Sequence, residues 1–127
     1  MATAEELRRV SGGVIGHFTP KELVIDANKL AVGETVLGLK VPAKKFVYGA
    51  YIKNNNDDLA SGGAATIKVT VGSTDVISAT GVSDLKGKGV AALDTTPDYA
   101  AAERDVKVTV GTAAYTAGKL IVGVIYG

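Results

Sequence analysis

From residue 12 onward apolar side chains recur at every second position, and a period of two buries one side of the chain only when the chain is a β-strand. The clearest instance occurs twice. Ile67-Lys68-Val69-Thr70-Val71-Gly72-Ser73 returns as Val106-Lys107-Val108-Thr109-Val110-Gly111-Thr112. In each copy β-branched apolar residues alternate with Lys and Thr and stop at a glycine, which predicts a strand with one dry and one wet face that ends in a turn. The two copies are expected to be equivalent strands, each opening a hairpin, with Asp75–Ala79 and Lys119–Tyr126 as the returning partners. In the second of these, Leu120, Val122 and Val124 face one way and Ile121 and Ile125 the other. That predicts a strand at the centre of a sheet or at an interface, covered on both sides.

The same period runs through the rest of the chain. Thr35, Leu37, Leu39 and Val41 share one face, with Glu34, Val36, Gly38 and Lys40 on the other. Phe46, Tyr48, Ala50 and Ile52 form a second set, opposite Val47, Gly49, Tyr51 and Lys53, and Pro42 with Lys44-Lys45 marks the turn between the two strands. Earlier strands are expected at Val14–Phe18 and Leu23–Ile25, interrupted at Thr19-Pro20. Gly81–Gly89 reads as a loop and Val90–Leu93 as a short strand. Thr96-Pro97-Asp98 supplies an N-cap and a first-turn proline, so one or two helical turns are expected from there to Arg104. The sum is an all-β domain over residues 12–127, an antiparallel β-sandwich or jelly roll of about eight short strands.

Ahead of it lies a short N-terminal arm, residues 1–11. Thr3 and Glu6 have capping-box spacing and Leu7 and Val10 fall on one side, but a helix this short is not stable alone and Ser11-Gly12-Gly13 ends it. The arm is therefore expected to order only against the body or a partner, with Glu5, Leu7, Arg8, Arg9 and Val10 as its candidate contact residues. Arg8 and Arg9 are offset by Glu5 and Glu6, and no apolar segment of about 7 to 15 residues follows, so no secretory signal is expected. Nor does any apolar run approach the roughly 18 to 20 residues that cross a bilayer, so no membrane partner is expected.

Composition narrows the function. With 14 Lys plus Arg against 13 Asp plus Glu, the net charge of +1 argues against a nucleic-acid partner. The 127 residues suit one core, which at 6% aromatic content must be built from Val, Ile, Leu and Ala. There is no Cys and one His, so thiol nucleophiles, disulfides and thiolate metal sites are out of reach.

The remaining motifs are weak in chemistry. Gly81 to Gly89 carries glycines and lysines, but five residues separate Gly81 from Gly87 and Gly89 follows Lys88 where a phosphate loop needs a hydroxyl residue. Asn54-Asn55-Asn56-Asp57-Asp58 offers oxygens at alternate positions, as a calcium loop does. Leu59 then stands where the sharp turn needs Gly, and Ala65 where a bidentate Glu belongs, which favours a plain turn of residues tolerant of left-handed backbone and leaves ion binding open. His17 has no base and orienting group set around it. Lys40, Lys44 and Lys45 near Tyr48 and Tyr51 would suit base stacking, but the balanced charge favours lysines that solvate a turn or guard a sheet edge. No catalytic residue, cofactor or metal is expected, and the chain reads as a non-enzyme.

The closing segment, in which Val108-Thr109-Val110-Gly111-Thr112-Ala113-Ala114-Tyr115-Thr116-Ala117-Gly118-Lys119 leads into apolar Leu120–Tyr126, resembles the C-terminus of small virion structural proteins of tailed bacteriophages. Val71-Gly72-Ser73-Thr74-Asp75 and the small-residue stretch to Ser83 likewise resemble their strand, turn and loop. The resemblance covers the second half of the chain. It implies a head decoration (cement) protein that binds the major capsid protein, commonly as a homotrimer, on the capsid surface of a virion assembled in the host cytoplasm. The same β pattern also suits a tail, neck or fibre component, or a glycan-binding jelly-roll module.

Overall fold

Alternation at the level of residues becomes alternation of burial in the folded chain: along Arg104–Gly111, Val106, Val108 and Val110 are buried while Lys107 and Thr109 between them are half-buried. The computed structural model describes residues 19–127, with the backbone alone for residue 19 and residues 94–98. Its strands are β1 (Thr19–Asp26), β2 (Gly33–Val41), β3 (Lys45–Lys53), β4 (Ala60–Ser61), β5 (Thr66–Val71), β6 (Thr74–Gly81), β7 (Gly89–Ala100), β8 (Arg104–Gly111), β9 (Tyr115–Ala117) and β10 (Lys119–Tyr126). A 3-10 turn at Ala27–Lys29 and one α-helical turn, α1 (Val82–Leu85), complete the regular structure among the described residues.

Two four-stranded antiparallel sheets carry the fold. Sheet A has the order β1-β10-β3-β7 and sheet B the order β2-β8-β5-β6, with β4 and β9 forming a small separate pair. Numbering only the eight long strands along the chain, the sheets run 1-8-3-6 and 2-7-4-5. That is the strand order of a jelly roll, so of the two architectures the sequence left open the chain adopts this one. Between the sheets lies a core of aliphatic side chains, with Ile52, Ile67, Val69, Val108, Leu120, Val122 and Val124 fully buried.

Four expectations need correction, each for a physical reason. First, only one of the twin strands opens the expected hairpin: β5 turns at Gly72-Ser73 and pairs with β6, Thr70 opposite Asp75 and Val71 opposite Thr74, whereas β8 does not pair with β10. β5 and β8 pair with each other, Ile67 opposite Val110, Val69 opposite Val108 and Val71 opposite Val106, while β10 crosses to sheet A between β1 and β3. Two strands with the same dry face satisfy each other directly when antiparallel, and β10, apolar on both sides, takes an interior position. Second, the helical turns expected from Pro97 are strand: β7 runs to Ala100, with Phe46 opposite Tyr99 and Lys45 opposite Ala100. One proline and one cap cannot hold a lone helical turn against a ladder of cross-strand pairs. Residues 94–97 stand opposite Tyr48 alone, in an edge-strand excursion that needs no ladder bond from the proline.

Third, the alternation of β3 breaks at Tyr48. The register with β10 slips between Ile125 and Tyr126, so Val47 turns inward and Phe46 outward, opposite to the even spacing of the sequence. Fourth, Thr19 and Pro20 are themselves the first described residues of β1, which as an edge strand tolerates a proline. Smaller differences are the α1 turn inside the Gly81–Gly89 loop, pinned by fully buried Leu85. The turn between β2 and β3 is as expected, with Lys44 at φ 62° and its N–H donating to the Ala100 carbonyl. The arm and the Val14–Phe18 strand lie outside the described residues.

Beside the core, Tyr115 is 2% exposed and its hydroxyl has no hydrogen-bond partner among the described residues. Burial pushes its pKa up to about 12. Because an unpaired buried hydroxyl costs about 1–3 kcal/mol, Tyr115→Phe is expected to leave stability unchanged or raise it by about 1 kcal/mol in urea unfolding. A loss of that size instead would reveal a partner for the hydroxyl.

Candidate interaction surface

The outward faces of the two sheets differ in chemistry. On sheet B the outward rows are polar and cross-linked by ion pairs: Lys107 to Glu34 at 3.5 Å, Lys68 to Asp75 at 3.5 Å, and Lys40 to Glu103 at 3.3 Å and Asp105 at 3.9 Å. The Thr70 hydroxyl donates to Asp75 at 3.0 Å. These are exposed pairs of small individual worth, but together they keep the face wet. Val36 is the exception, 56% exposed among them.

Sheet A presents the opposite. Its register stacks four outward rows: Val24, Ile121, Lys53 and Gly89; then Glu22, Gly123, Tyr51 and Ala91; then Pro20, Ile125, Gly49 and Leu93; then Phe46 and Tyr99 beside Gly127. Within these rows the charges are Glu22 and Lys53, which neutralise each other at 3.7 Å; one row further, at the edge of the face, stand Asp26, paired with Lys29 at 3.4 Å, and exposed Lys119. Leu93 is 78% exposed, Val24 60%, Tyr99 53% and Phe46 41%. Phe46 gathers Tyr99 and Tyr48 around it, with ring centroids 5.4 and 6.4 Å away, so one end of the face is an aromatic ridge.

The opposite end is hollow. Val24, Ile121, Lys119, Asn55 and Asn56 line one depression of ≈ 200 Å³, and Tyr51, Lys53, Gly89, Val90 and Ala91 line most of a second of ≈ 210 Å³. Glycine makes the middle of the face flat. At Gly123 the Tyr51 ring lies where a Cβ would have to be, and at Gly49 a Cβ would come within 2.5 Å of the Ala92 carbonyl oxygen.

Tyr51 is held in place across Gly123 by its neighbours. Partial burial, then a hydrogen bond from its hydroxyl to Glu22 and the charge of that carboxylate, push its pKa up to about 12. The Lys53 ammonium lies 5.6 Å from the ring centroid and closes the cluster. The folded state therefore prefers the protonated phenol more strongly than the unfolded chain does. This contribution to stability is complete below pH 10 and is lost as the pH rises from 10 through about 12. An absorbance titration of phenolate is expected to show Tyr51 ionising near pH 12, and Glu22→Gln to bring it part of the way back toward 10.

The other residues singled out from the sequence fall elsewhere. Asn54, 2% exposed, is a structural hub: its amide donates to Asp58 at 2.7 Å and to the Lys119 carbonyl at 2.8 Å, and its side-chain oxygen accepts from the Gly87 N–H at 3.0 Å. Asp57 takes the left-handed conformation expected of such a turn, φ 57°. Lys40 lies on the outward face of sheet B, apart from Tyr48 and Tyr51 of sheet A, while Lys44 stands in the turn between β2 and β3 and Lys45 opens β3. Glu5, Leu7, Arg8, Arg9, Val10 and His17 lie outside the described residues. No group of three or more His, Cys, Asp or Glu side chains placed to hold a metal ion occurs among the described residues. No helix among them is long and apolar enough to cross a membrane.

Periodicity overlooked Phe46, Leu93 and Tyr99 as surface residues. The bulge at Tyr48 inverts the parity for Phe46, and the capping signal at Thr96-Pro97 points to a helix where Tyr99 is strand. The signal that did point here was the two-sided apolar pattern of β10, since Ile121 and Ile125 are half-exposed in the middle of this face.

The molecule is thus a jelly roll with one charged sheet face and one flat apolar one, an architecture used by viral shells and by lectins. Solved phage capsids include chains of the same fold. The capsid of Ralstonia phage GP4 contains a chain 22% identical, with a TM-score of 0.58 over 87% of this chain and 84% of that one. The acidic stable capsid structure of Helicobacter pylori bacteriophage KHP30 contains a chain 16% identical, with a TM-score of 0.56 over 85% of each. No protein-family model and no curated protein matches the sequence. The resemblance to small phage virion proteins noted in the sequence therefore has a counterpart in the fold.

Proposed function

We propose that this chain is a non-enzymatic structural protein of a phage head: a decoration (cement) protein that binds the major capsid protein as a homotrimer on the outside of the shell and stabilises it, in a virion assembled in the host cytoplasm. The observation that carries this reading is the flat, largely apolar outward face of sheet A on a jelly roll shared with chains of two phage capsid structures. A surface of that kind suits protein neighbours, and the net charge of +1 offers little to DNA. Symmetry supports the reading too, because repetition over a shell multiplies contacts that are individually weak. In this account residues 12–127 form the body and residues 1–11 an arm whose Glu5, Leu7, Arg8, Arg9 and Val10 reach the shell.

The test is binding of the purified protein to emptied heads, together with a reconstruction of the virion. Saturable binding, and hundreds of copies on the shell, are expected. Absence from the shell, or a few copies confined to the tail, would replace this reading with that of a tail or neck component.

A further inference from the structure

We infer that the outward face of sheet A is the self-association surface of this chain, and that the aromatic ridge of one copy seats on the hollow end of a second. This deepens the oligomeric part of the reading above by naming its surface, and it concerns the purified chain alone.

Three observations choose a second copy as the occupant. Shape comes first. Phe46, Tyr48 and Tyr99 stand at one end of the face, and two depressions of ≈ 200 and ≈ 210 Å³, each on the scale of one aromatic side chain, lie at the other. Ridge and hollow thus belong to the same chain, and glycines keep the ground between them level. Head-to-tail contact of ridge on hollow closes into a ring, the three-membered one being the homotrimer of the reading above.

Charge comes second. Glu22 and Lys53 are already paired within the face and Asp26 is paired with Lys29, which leaves Lys119 at the rim of one hollow, where a long exposed side chain keeps its ammonium in water while its stem packs. The outward face of sheet B is no alternative seat, because covering it would strip water from the ion pairs of Glu34, Lys68, Asp75 and Lys107.

Area comes third. Four strands about 4.8 Å apart and about seven residues long span on the order of 450 Å² in projection, before relief is counted. This lies within the roughly 300–600 Å² of the largest apolar patch on a monomer, a patch that is often functional, and is more than half of the roughly 800 Å² that one partner gives to a specific interface. A free chain has this apolar surface whether or not a shell is near, so its own copies are the partner always at hand.

The test uses the full-length chain in light scattering after gel filtration, over a range of concentrations, with circular dichroism to confirm folding. The wild type is expected at a multiple of the chain mass. Tyr99→Asp on the ridge and Ala91→Arg in the hollow, both at exposed positions, are each expected to weaken association by on the order of 100-fold and give the single-chain mass. Val36→Lys on sheet B is expected to associate as the wild type does. The chain has no cysteine, and positions 91 and 99 are too far apart on one strand to bridge. In a Tyr99→Cys/Ala91→Cys variant, mild oxidation is therefore expected to join copies. A wild type that is monomeric at every concentration overturns both the surface and the oligomer, whereas one that assembles equally well with Tyr99→Asp and Ala91→Arg overturns the surface alone. Binding to emptied heads, measured separately, still decides the role on the shell.

Discussion

Val108→Asp is expected to leave the protein unfolded at neutral pH. Val108 is 0% exposed on β8, flanked in sheet B by Val69 on β5 and Thr35 on β2, and no cationic side chain shares its row. Seating an unpaired carboxylate there costs about 5 kcal/mol or more, as much as an ordinary domain has in total. The substitution would escape part of that cost by staying protonated, so its pKa in the folded state lies above the unfolded value. The charge-dependent part of the penalty is therefore absent well below the unfolded carboxylate range and grows as the pH rises. Far-ultraviolet circular dichroism against urea, at acid and neutral pH, reads this directly. Val108→Ala, which only removes two methyl groups, is expected to fold with a loss of about 2 kcal/mol. A Val108→Asp protein as stable as that would show that the space between the sheets admits water.

The second large effect is expected at Asn54. Its side chain ties three segments together: the turn before β4 through Asp58, the start of β10 through the Lys119 carbonyl, and the turn after α1 through the Gly87 N–H. The Asn54 N–H also donates to the Lys88 carbonyl at 2.9 Å. Asn54→Ala abandons a backbone donor and a backbone acceptor in a site closed to water, at about 2–4 kcal/mol. Asn54→Asp tests the chemistry rather than the volume. It still accepts from Gly87 but faces the Asp58 carboxylate and the Lys119 carbonyl with oxygen, so it is expected to be as damaging at neutral pH and to recover in acid, where one of the paired carboxylates takes a proton. Denaturation curves of the two variants at neutral and acid pH distinguish this hub from a turn that merely needs any small residue. If the hub is as described, the segment that resembled a calcium loop in sequence is held by its own hydrogen bonds.

Particular residues show how far the sequence reaches. Leu37, Leu39 and Val41 are buried as their spacing required, because one face of a strand must be dry and nothing else in the window competes. Val106, Val108 and Val110 follow the same rule. At Phe46 the rule fails. A single bulge reverses inside and outside, and a bulge leaves no mark in the spacing of apolar residues. At Tyr99 local capping chemistry pointed to a helix, and pairing with Phe46 overruled it, since a long strand gains more from a neighbour than a single turn gains from a cap.

The chain by itself determined that the described residues form an all-β domain and near which residues most of its long strands begin and end, because these depend on period and turn residues. Only the tertiary structure decided which strands are neighbours: that the twin strands pair with each other, and that β10 closes sheet A beside β1. Strand pairing is a relation between distant segments with similar faces, and no local period distinguishes one suitable partner from another. The apolar outward face follows from that choice. It exists because β1, β10, β3 and β7 share a sheet, so residues scattered from Val24 to Ile125 meet on one surface.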